Sequence, residues 1–168
     1  MFTYAELLEC NKPKTLTPLS YLRAVKQAGD LNDEFYTYFT RIFNPIFVVI
    51  DGNIFVEVCL DRHRVEEETA NGLPYDDLPY WNNLLEVTEL CEDMEWDEVC
   101  ELASVISDCW NAKLKRLHPR SGFKATVFID DELDEVFVAL FRPKYEKNPF
   151  KRVSGWLRSR WSSWRATC

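Results

Sequence analysis

The chain has few of the residues that nucleotide-binding loops and common catalytic sites need. Five glycines and two histidines occur in 168 residues. Loops that bind phosphate use closely spaced glycines, because a backbone without Cβ atoms can approach the phosphate oxygens. Neither a P-loop nor a GxGxxG pattern is present, and no serine lies in a GxSxG motif of the kind that exposes a hydrolase nucleophile. The sequence therefore contains no catalytic motif of these kinds.

Patterns for metal binding and for disulfide chemistry are also absent. The six cysteines contain no CxxC pair, and His63 and His118 are not spaced from a cysteine pair as zinc sites require. The first residues show no basic segment followed by an apolar one, so we expect no secretory signal. In the reducing cytoplasm that this implies, the cysteines are expected to be small core residues. We predict a cytoplasmic protein that needs no metal and no other cofactor.

The composition is that of a single folded domain. No apolar run approaches the ~20 residues that a membrane-spanning helix needs. Hydrophobic residues make up 46% of the chain and aromatic residues 14%, which is enough for a core without disulfides or metals. Charged residues make up 29% of the chain, a share that fits a globular protein and not a disordered or fibrous one.

Charge is distributed unevenly along the chain, whose formal net charge is -8. Residues 143–168 contain seven basic residues and one acidic residue, a net charge of +6 that leaves -14 on residues 1–142. The basic residues of this segment are Lys144, Lys147, Lys151, Arg152, Arg158, Arg160 and Arg165. The sequence thus predicts an acidic body followed by a basic tail.

The spacing of apolar residues predicts helices in three regions. Residues 19–43 have helical spacing, interrupted at Gly29-Asp30. A short helix is predicted over residues 80–90, and a longer one over residues 97–117. These helices account for much of the apolar content outside the predicted strands.

Two segments rich in β-branched and aromatic residues predict β-hairpins. The first turns at Asp51-Gly52, a dipeptide favoured in two-residue turns, and the second turns at residues 130–132. Their similar patterns raise the hypothesis of an αββ pseudo-repeat, although half-buried hairpins also resemble each other without common origin. The polar segment 63–80 is predicted to be a long surface loop.

The order of these elements predicts an α+β fold. We expect an antiparallel sheet of two β-hairpins, with four or more strands, packed against helices on one face. The predicted bounds are an irregular N-terminal arm at residues 1–18, a single domain at 19–149 and a basic amphipathic helix at 150–168. The element order is similar to that of small acidic secretion chaperones, a similarity that no particular residues carry and that implies no function.

Two acidic clusters are the main candidates for a functional surface. Carboxylates at this density form solvated helix faces and turns, act as acid–base groups in a cleft, or attract a basic partner. Because no catalytic motif accompanies them, we favour recognition of a partner over catalysis. The predicted partner-binding carboxylates are Glu89, Glu92, Asp93, Asp97, Glu98, Glu101, Asp130, Asp131 and Glu132.

The basic tail contributes three further predicted binding residues, Trp156, Trp161 and Trp164. Burial of this aromatic surface would contribute several kcal/mol at about 25 cal/mol per Å², so we expect the tail to dock. Its own sheet is the first hypothesis, a partner's groove or a second copy of the chain is the second, and a membrane interface is the third. Nucleic acid is not expected as a partner, because an acidic body repels phosphate.

These features together predict a non-enzymatic binding protein. It would be an inhibitor, an immunity-type protein, a chaperone or an adaptor, and its acidic surface would bind a basic region of another protein. A homodimer is a further arrangement. The alternatives are a small enzyme that uses carboxylates in a surface cleft, and a membrane-peripheral protein anchored by its tail.

Overall fold

The structure is a computed structural model that describes residues 6, 9–10, 25, 33–91, 93–130 and 133–143. The chain divides into two units, Met1–Arg41 and Ile42–Cys168. In the predicted irregular arm, the described residues 6 and 9–10 have helical backbone. The domain bounds predicted at residues 18 and 149, and the helix predicted at 150–168, lie outside the described residues.

The described elements form an α+β fold, as predicted, with five α-helices and five strands. In chain order they are α1 Asp33–Phe43, β1 Phe47–Ile50, β2 Asn53–Val56, a 3-10 turn Glu57–Cys59, α2 Arg62–Ala70, α3 Leu78–Asn82, β3 Leu84–Glu86, α4 Val87–Leu90, α5 Trp96–Leu117, β4 Lys124–Asp130 and β5 Glu135–Phe141. The predicted long helix and the end of the first predicted helical region are therefore confirmed.

Both predicted hairpins are present, and each belongs to its own antiparallel sheet. In the first, β1 pairs with β2 around Asp51 and Gly52. Both turn residues have positive φ, 48° and 84°, which is the backbone that a two-residue hairpin turn needs and that favours Asp-Gly. The second hairpin pairs β4 with β5, and the short strand β3 adds to the other side of β5.

A single buried side chain links the two sheets. Asn83, which is fully buried, precedes β3 and lies between β2 and β5. The Val56 N–H donates to its Oδ1 at 2.7 Å, and its Nδ2 donates to the carbonyls of Ile54 at 2.8 Å and Leu140 at 2.9 Å. The carboxamide thus satisfies the backbone groups that a further strand would otherwise pair with.

The main core lies between α5 and one face of the three-stranded sheet. Apolar residues of α5 recur at intervals of three and four and face alternate residues of β5. These buried residues are Val99, Ala103, Ile106, Trp110 and Leu114 on the helix, and Val136, Val138 and Leu140 on the strand. The indole Nε1 of Trp110 donates to the Ile42 carbonyl at 2.6 Å, so its one polar atom is satisfied.

Strand β5 is covered on its second face as well, which the sequence analysis did not predict. Ala139 and Phe141 point away from α5 and pack with Tyr80 of α3. All seven residues of β5 are buried. The expectation of helices on one face was therefore wrong, because α3 covers the face that was expected to be open.

The outer edge of β4 is partly closed by a side chain from α5. Asn111 Nδ2 donates to the Ala125 carbonyl, and the Ala125 N–H donates to Asn111 Oδ1, both at 2.9 Å. Because β4 is the last strand of its sheet, these are backbone groups that β5 does not reach.

The segment predicted as a long surface loop is helical over much of its length. Helix α2 begins after Asp61, whose carboxylate accepts from the Arg64 N–H at 3.1 Å. Its buried carboxylate, Glu68, accepts from Arg64 Nε at 3.0 Å and from Asn82 Nδ2 at 2.8 Å. One apolar residue, Val65, is buried on this helix. The prediction failed because capping and polar pairing, not an apolar stripe, stabilise α2.

The short helix predicted over residues 80–90 was also only partly right. Helices α3 and α4 occupy its ends, and the three residues of β3 lie between them.

The proposed pseudo-repeat matched Val56 and Val58 with Val136 and Val138. Val56 ends β2 and Val58 lies in a 3-10 turn, whereas both counterparts lie within β5. The two hairpins therefore differ in length just where their sequences were matched.

Candidate functional site

Two acidic segments far apart in sequence lie at one end of β5. The hydroxyl of Thr88 in α4 accepts from the Val136 N–H at 3.4 Å, and β3 pairs Glu86 with Phe137. That hydrogen bond and the ~3.8 Å between consecutive Cα atoms limit the distance between the Cα atoms of Glu89 and Asp134 to about 16 Å. We call the surface formed by the described residues of 89–98 and 129–134 the acidic end.

The carboxylates of the acidic end differ in what they contact. Glu89, Asp93 and Asp97 are exposed, and none of them has an ion pair or a side-chain hydrogen bond within the described part of the chain. Glu101 is also exposed and lies one helical turn beyond Asp97. These predicted binding residues therefore present their charge to solvent.

Two of the predicted residues also stabilise local structure. The Glu95 N–H donates to Glu98 Oε2 at 3.3 Å, which satisfies a backbone group at the start of α5. Asp130 Oδ1 accepts from the Leu133 N–H at 3.3 Å within the β4–β5 turn. The remaining predicted residues, Glu92, Asp131, Glu132, Trp156, Trp161 and Trp164, lie outside the described residues.

Large apolar side chains are exposed among these carboxylates. Leu90 is 48% exposed, Met94 38%, Trp96 41% and Leu133 50%, and Ile129 is also exposed. Isolated exposed apolar residues are ordinary, so it is their grouping within these two segments that makes them candidates for a contact surface. These residues were not predicted from the sequence, because only the charge of the segment was considered there. Leu90 and Met94, four residues apart within the acidic run, were the available signal.

Cys59, Cys91 and Tyr80 have raised pKa values and lie in or near packed structure, and none of the three points to a nucleophile. Burial raises the pKa of Cys59 to about 12 and that of Cys91 above its usual value. Burial also raises the pKa of the Tyr80 hydroxyl well above its usual value. A thiol with a raised pKa stays protonated near neutral pH, and the protonated thiol is a poor nucleophile.

Arg142 lies in a polar cluster just after the end of β5. Its Nη2 donates to the Gly52 carbonyl at 2.8 Å, and its Nη1 lies 3.3 Å from both Asn53 Oδ1 and Asp76 Oδ1. The guanidinium carbon also lies 4.7 Å from the centre of the Phe123 ring. Because these donors bind other elements of the same chain, the cluster holds the β1–β2 turn beside the end of β5.

The described residues contain neither a candidate metal site nor a candidate membrane-spanning helix. No group of three or more His, Cys, Asp or Glu residues in this part of the chain is arranged to hold a metal ion. No described helix is both long enough and apolar enough to cross a membrane.

No protein-family model, curated protein or solved structure matches this chain. A function for this chain therefore has to be inferred from the geometry of the acidic end.

Proposed function

We propose that this protein is a non-enzymatic binding protein whose acidic end contacts a basic region of another protein. Inhibitors, immunity-type proteins, chaperones and adaptors act in this way. The observation that supports the proposal most strongly is the combination at the acidic end of exposed carboxylates, such as Glu89 and Asp93, with exposed apolar residues, such as Leu90 and Leu133.

The two kinds of residue would contribute differently to binding. Exposed carboxylates attract a basic partner over a distance and speed its encounter, but each exposed ion pair contributes only about 0–1 kcal/mol. Apolar side chains that become buried contribute more of the affinity, roughly 1.5–3 kcal/mol for a fully buried large residue. A basic segment with interspersed apolar residues is the partner chemistry that matches both features.

An affinity capture experiment with matched charge variants tests the proposal. The baits are the wild-type chain, Glu89→Lys/Asp93→Lys at the acidic end, and Glu66→Lys/Glu67→Lys on the exposed face of α2. Both variants change the net charge equally, so a difference between them reports position and not total charge. Captured proteins are identified at 50 mM and 500 mM salt.

We expect one or more basic proteins to be retained at low salt by the wild type and by the α2 variant. The acidic-end variant should lose them, and high salt should weaken their capture because it screens exposed charges. Equal retention by all three baits, or capture of no protein by the wild type, would contradict the proposal.

A further inference from the structure

The basic tail of the same chain matches the partner chemistry proposed for the acidic end. We infer that the basic tail, residues 144–168, returns to the acidic end in the free protein, where residues 150–168 bind and compete with the external partner. This inference rests on the proposed function, since it assigns a second occupant to the same surface. The protein would then be autoinhibited, and binding of a partner would require displacement of the tail.

Charge is the first match between the two surfaces. The tail has a net charge of +6, while the rest of the chain has -14. The described carboxylates of the acidic end are Glu89, Asp93, Glu95, Asp97, Glu98, Asp130 and Asp134. No lysine or arginine occurs in residues 89–98 or 129–134. Basic residues of the tail would therefore meet a surface without positive charge of its own.

Apolar character is the second match. Trp161 and Trp164, with Leu157 before them, continue the spacing of three or four residues that places side chains on one helical face. The acidic end offers Leu90 and Leu133 as exposed apolar surface. A basic amphipathic segment can therefore bury its apolar residues while its arginines remain beside carboxylates.

The tail is long enough to reach the acidic end. It follows Phe141 at the opposite end of β5, and the seven residues of this strand span about 20 Å. Residues 144–149 span about the same distance when extended. They can cover that distance over the surface of the domain and leave residues 150–168, a length of about 28 Å if helical, for contact with the acidic end.

The tether favours the tail over a free segment of the same sequence. A segment joined by a short linker has an effective concentration in the millimolar range, so even modest intrinsic affinity keeps it bound. Exposed charges more than about 10 Å apart are screened at 0.1 M salt. Docking should therefore weaken as salt rises, and the balance between tail and partner should shift with ionic strength.

Zero-length cross-linking of the full-length chain locates the tail. A carbodiimide joins lysine amines directly to carboxylates, and an equal mixture of ¹⁴N and ¹⁵N chains separates contacts within one chain from contacts between two. At 50 mM salt we expect links from Lys151 to Glu89 or Asp93 within one chain, lost at 500 mM salt. Links only between chains, or to Glu66 and Glu67 as often as to the acidic end, would overturn the inference.

A binding measurement separates failure of autoinhibition from failure of the proposed function. The probe is a fluorescent synthetic peptide with the sequence of residues 144–168. The proteins are the full-length wild type and full-length Arg158→Ser/Arg160→Ser/Arg165→Ser, which we call the neutralised-tail variant. We expect the peptide to bind the neutralised-tail variant at least tenfold more tightly than the wild type. Adding Glu89→Lys/Asp93→Lys to that variant should abolish binding, whereas adding Glu66→Lys/Glu67→Lys should not.

The other outcomes of this measurement have distinct meanings. Equal binding to wild type and neutralised-tail variant, with loss on Glu89→Lys/Asp93→Lys, would overturn autoinhibition and leave the acidic end as a docking surface. No peptide binding to any variant would overturn the inference. In that case, capture of a basic protein that depends on Glu89 and Asp93 would still support the proposed function.

Discussion

The two ends of strand β5 use polar residues in opposite ways. Where β5 ends, Arg142 binds Gly52, Asn53 and Asp76, so its donors connect different elements of the fold. Where β5 begins, carboxylates such as Glu89 are exposed and surround exposed apolar residues. Polar groups that connect elements stabilise the fold. Substitution of polar groups that face solvent changes the free energy of unfolding little, and such groups remain accessible to a partner. The following variants separate these two roles.

The largest effect is expected at Asn83, which links the two sheets. Asn83→Leu would leave the Val56 N–H and the Ile54 and Leu140 carbonyls buried without this partner. Each unsatisfied buried group costs about 1–3 kcal/mol, so we expect a loss of at least about 3 kcal/mol in the free energy of unfolding, measured with urea. Asn71→Ala, on an exposed residue that ends α2, is the control and should stay within about 0.5 kcal/mol of the wild type.

Alkaline pH should lower the free energy of unfolding through two groups whose pKa values burial raises, Cys59 and Tyr80. Folding raises the pKa of Tyr80, and that of Cys59 to about 12, in both cases through burial. Above the unfolded values, near pH 9 for the thiol and pH 10 for the phenol, the unfolded chain releases protons that the folded chain keeps. Stability therefore falls as pH rises, by about 1.4 kcal/mol per pH unit for each group.

Urea unfolding under reducing conditions at pH 7, 9 and 10.5 measures this dependence. Tyr80→Phe removes the ionisable hydroxyl and keeps the ring, so it should reduce the fall in stability between pH 9 and 10.5. An unchanged pH profile in this variant would show that Tyr80 ionises equally in the folded and unfolded chain.

A smaller loss of stability is expected at Arg142. Arg142→Leu removes the hydrogen bonds to Gly52 and Asn53 and the ion pair with Asp76, at a site that is partly exposed. We expect a loss of about 1–2 kcal/mol in urea unfolding. Capture of a partner under conditions where the variant is folded should not change. A loss of capture equal to that of the acidic-end variant would remove the distinction between the two ends of β5.

The smallest effect on stability is expected at the acidic end itself. Glu89→Lys/Asp93→Lys changes two exposed residues without described ion pairs, so at 500 mM salt, where the tail is not docked, the free energy of unfolding should change by no more than about 0.5 kcal/mol. The same variant should lose partner binding. If it unfolds substantially more easily than Glu66→Lys/Glu67→Lys, then these carboxylates stabilise the fold and the comparison fails.

Strong local signals explain which elements could be predicted. Helix α5 has a long apolar stripe, and Asp51-Gly52 fixes the first hairpin turn through its positive φ values. Helix α2 buries one apolar residue, Val65, and depends on the partners of Glu68, which come from another helix. Spacing of apolar residues cannot show such a helix, because its stabilising contacts are polar and some are distant in sequence.

The composition of the candidate site could be predicted from the sequence, but the arrangement of its residues could not. The carboxylates around Glu89 and around Asp130 were visible in the sequence as two clusters. Their common position depends on pairing between β3 and β5 and on the contact of Thr88 with Val136. Strand β3 has only three residues, too few for a periodic pattern. Leu90 and Met94 were visible within the acidic run, but only the structure showed that these side chains are exposed.

The position of Asn111 has a consequence for association between chains. Edge strands recruit further strands through their free N–H and C=O groups, which is a route to aggregation. On β4, the carboxamide of Asn111 already occupies both groups of Ala125. A strand from a second molecule that approached this edge at Ala125 would have to displace that side chain, so Asn111 opposes the addition of a strand at that position.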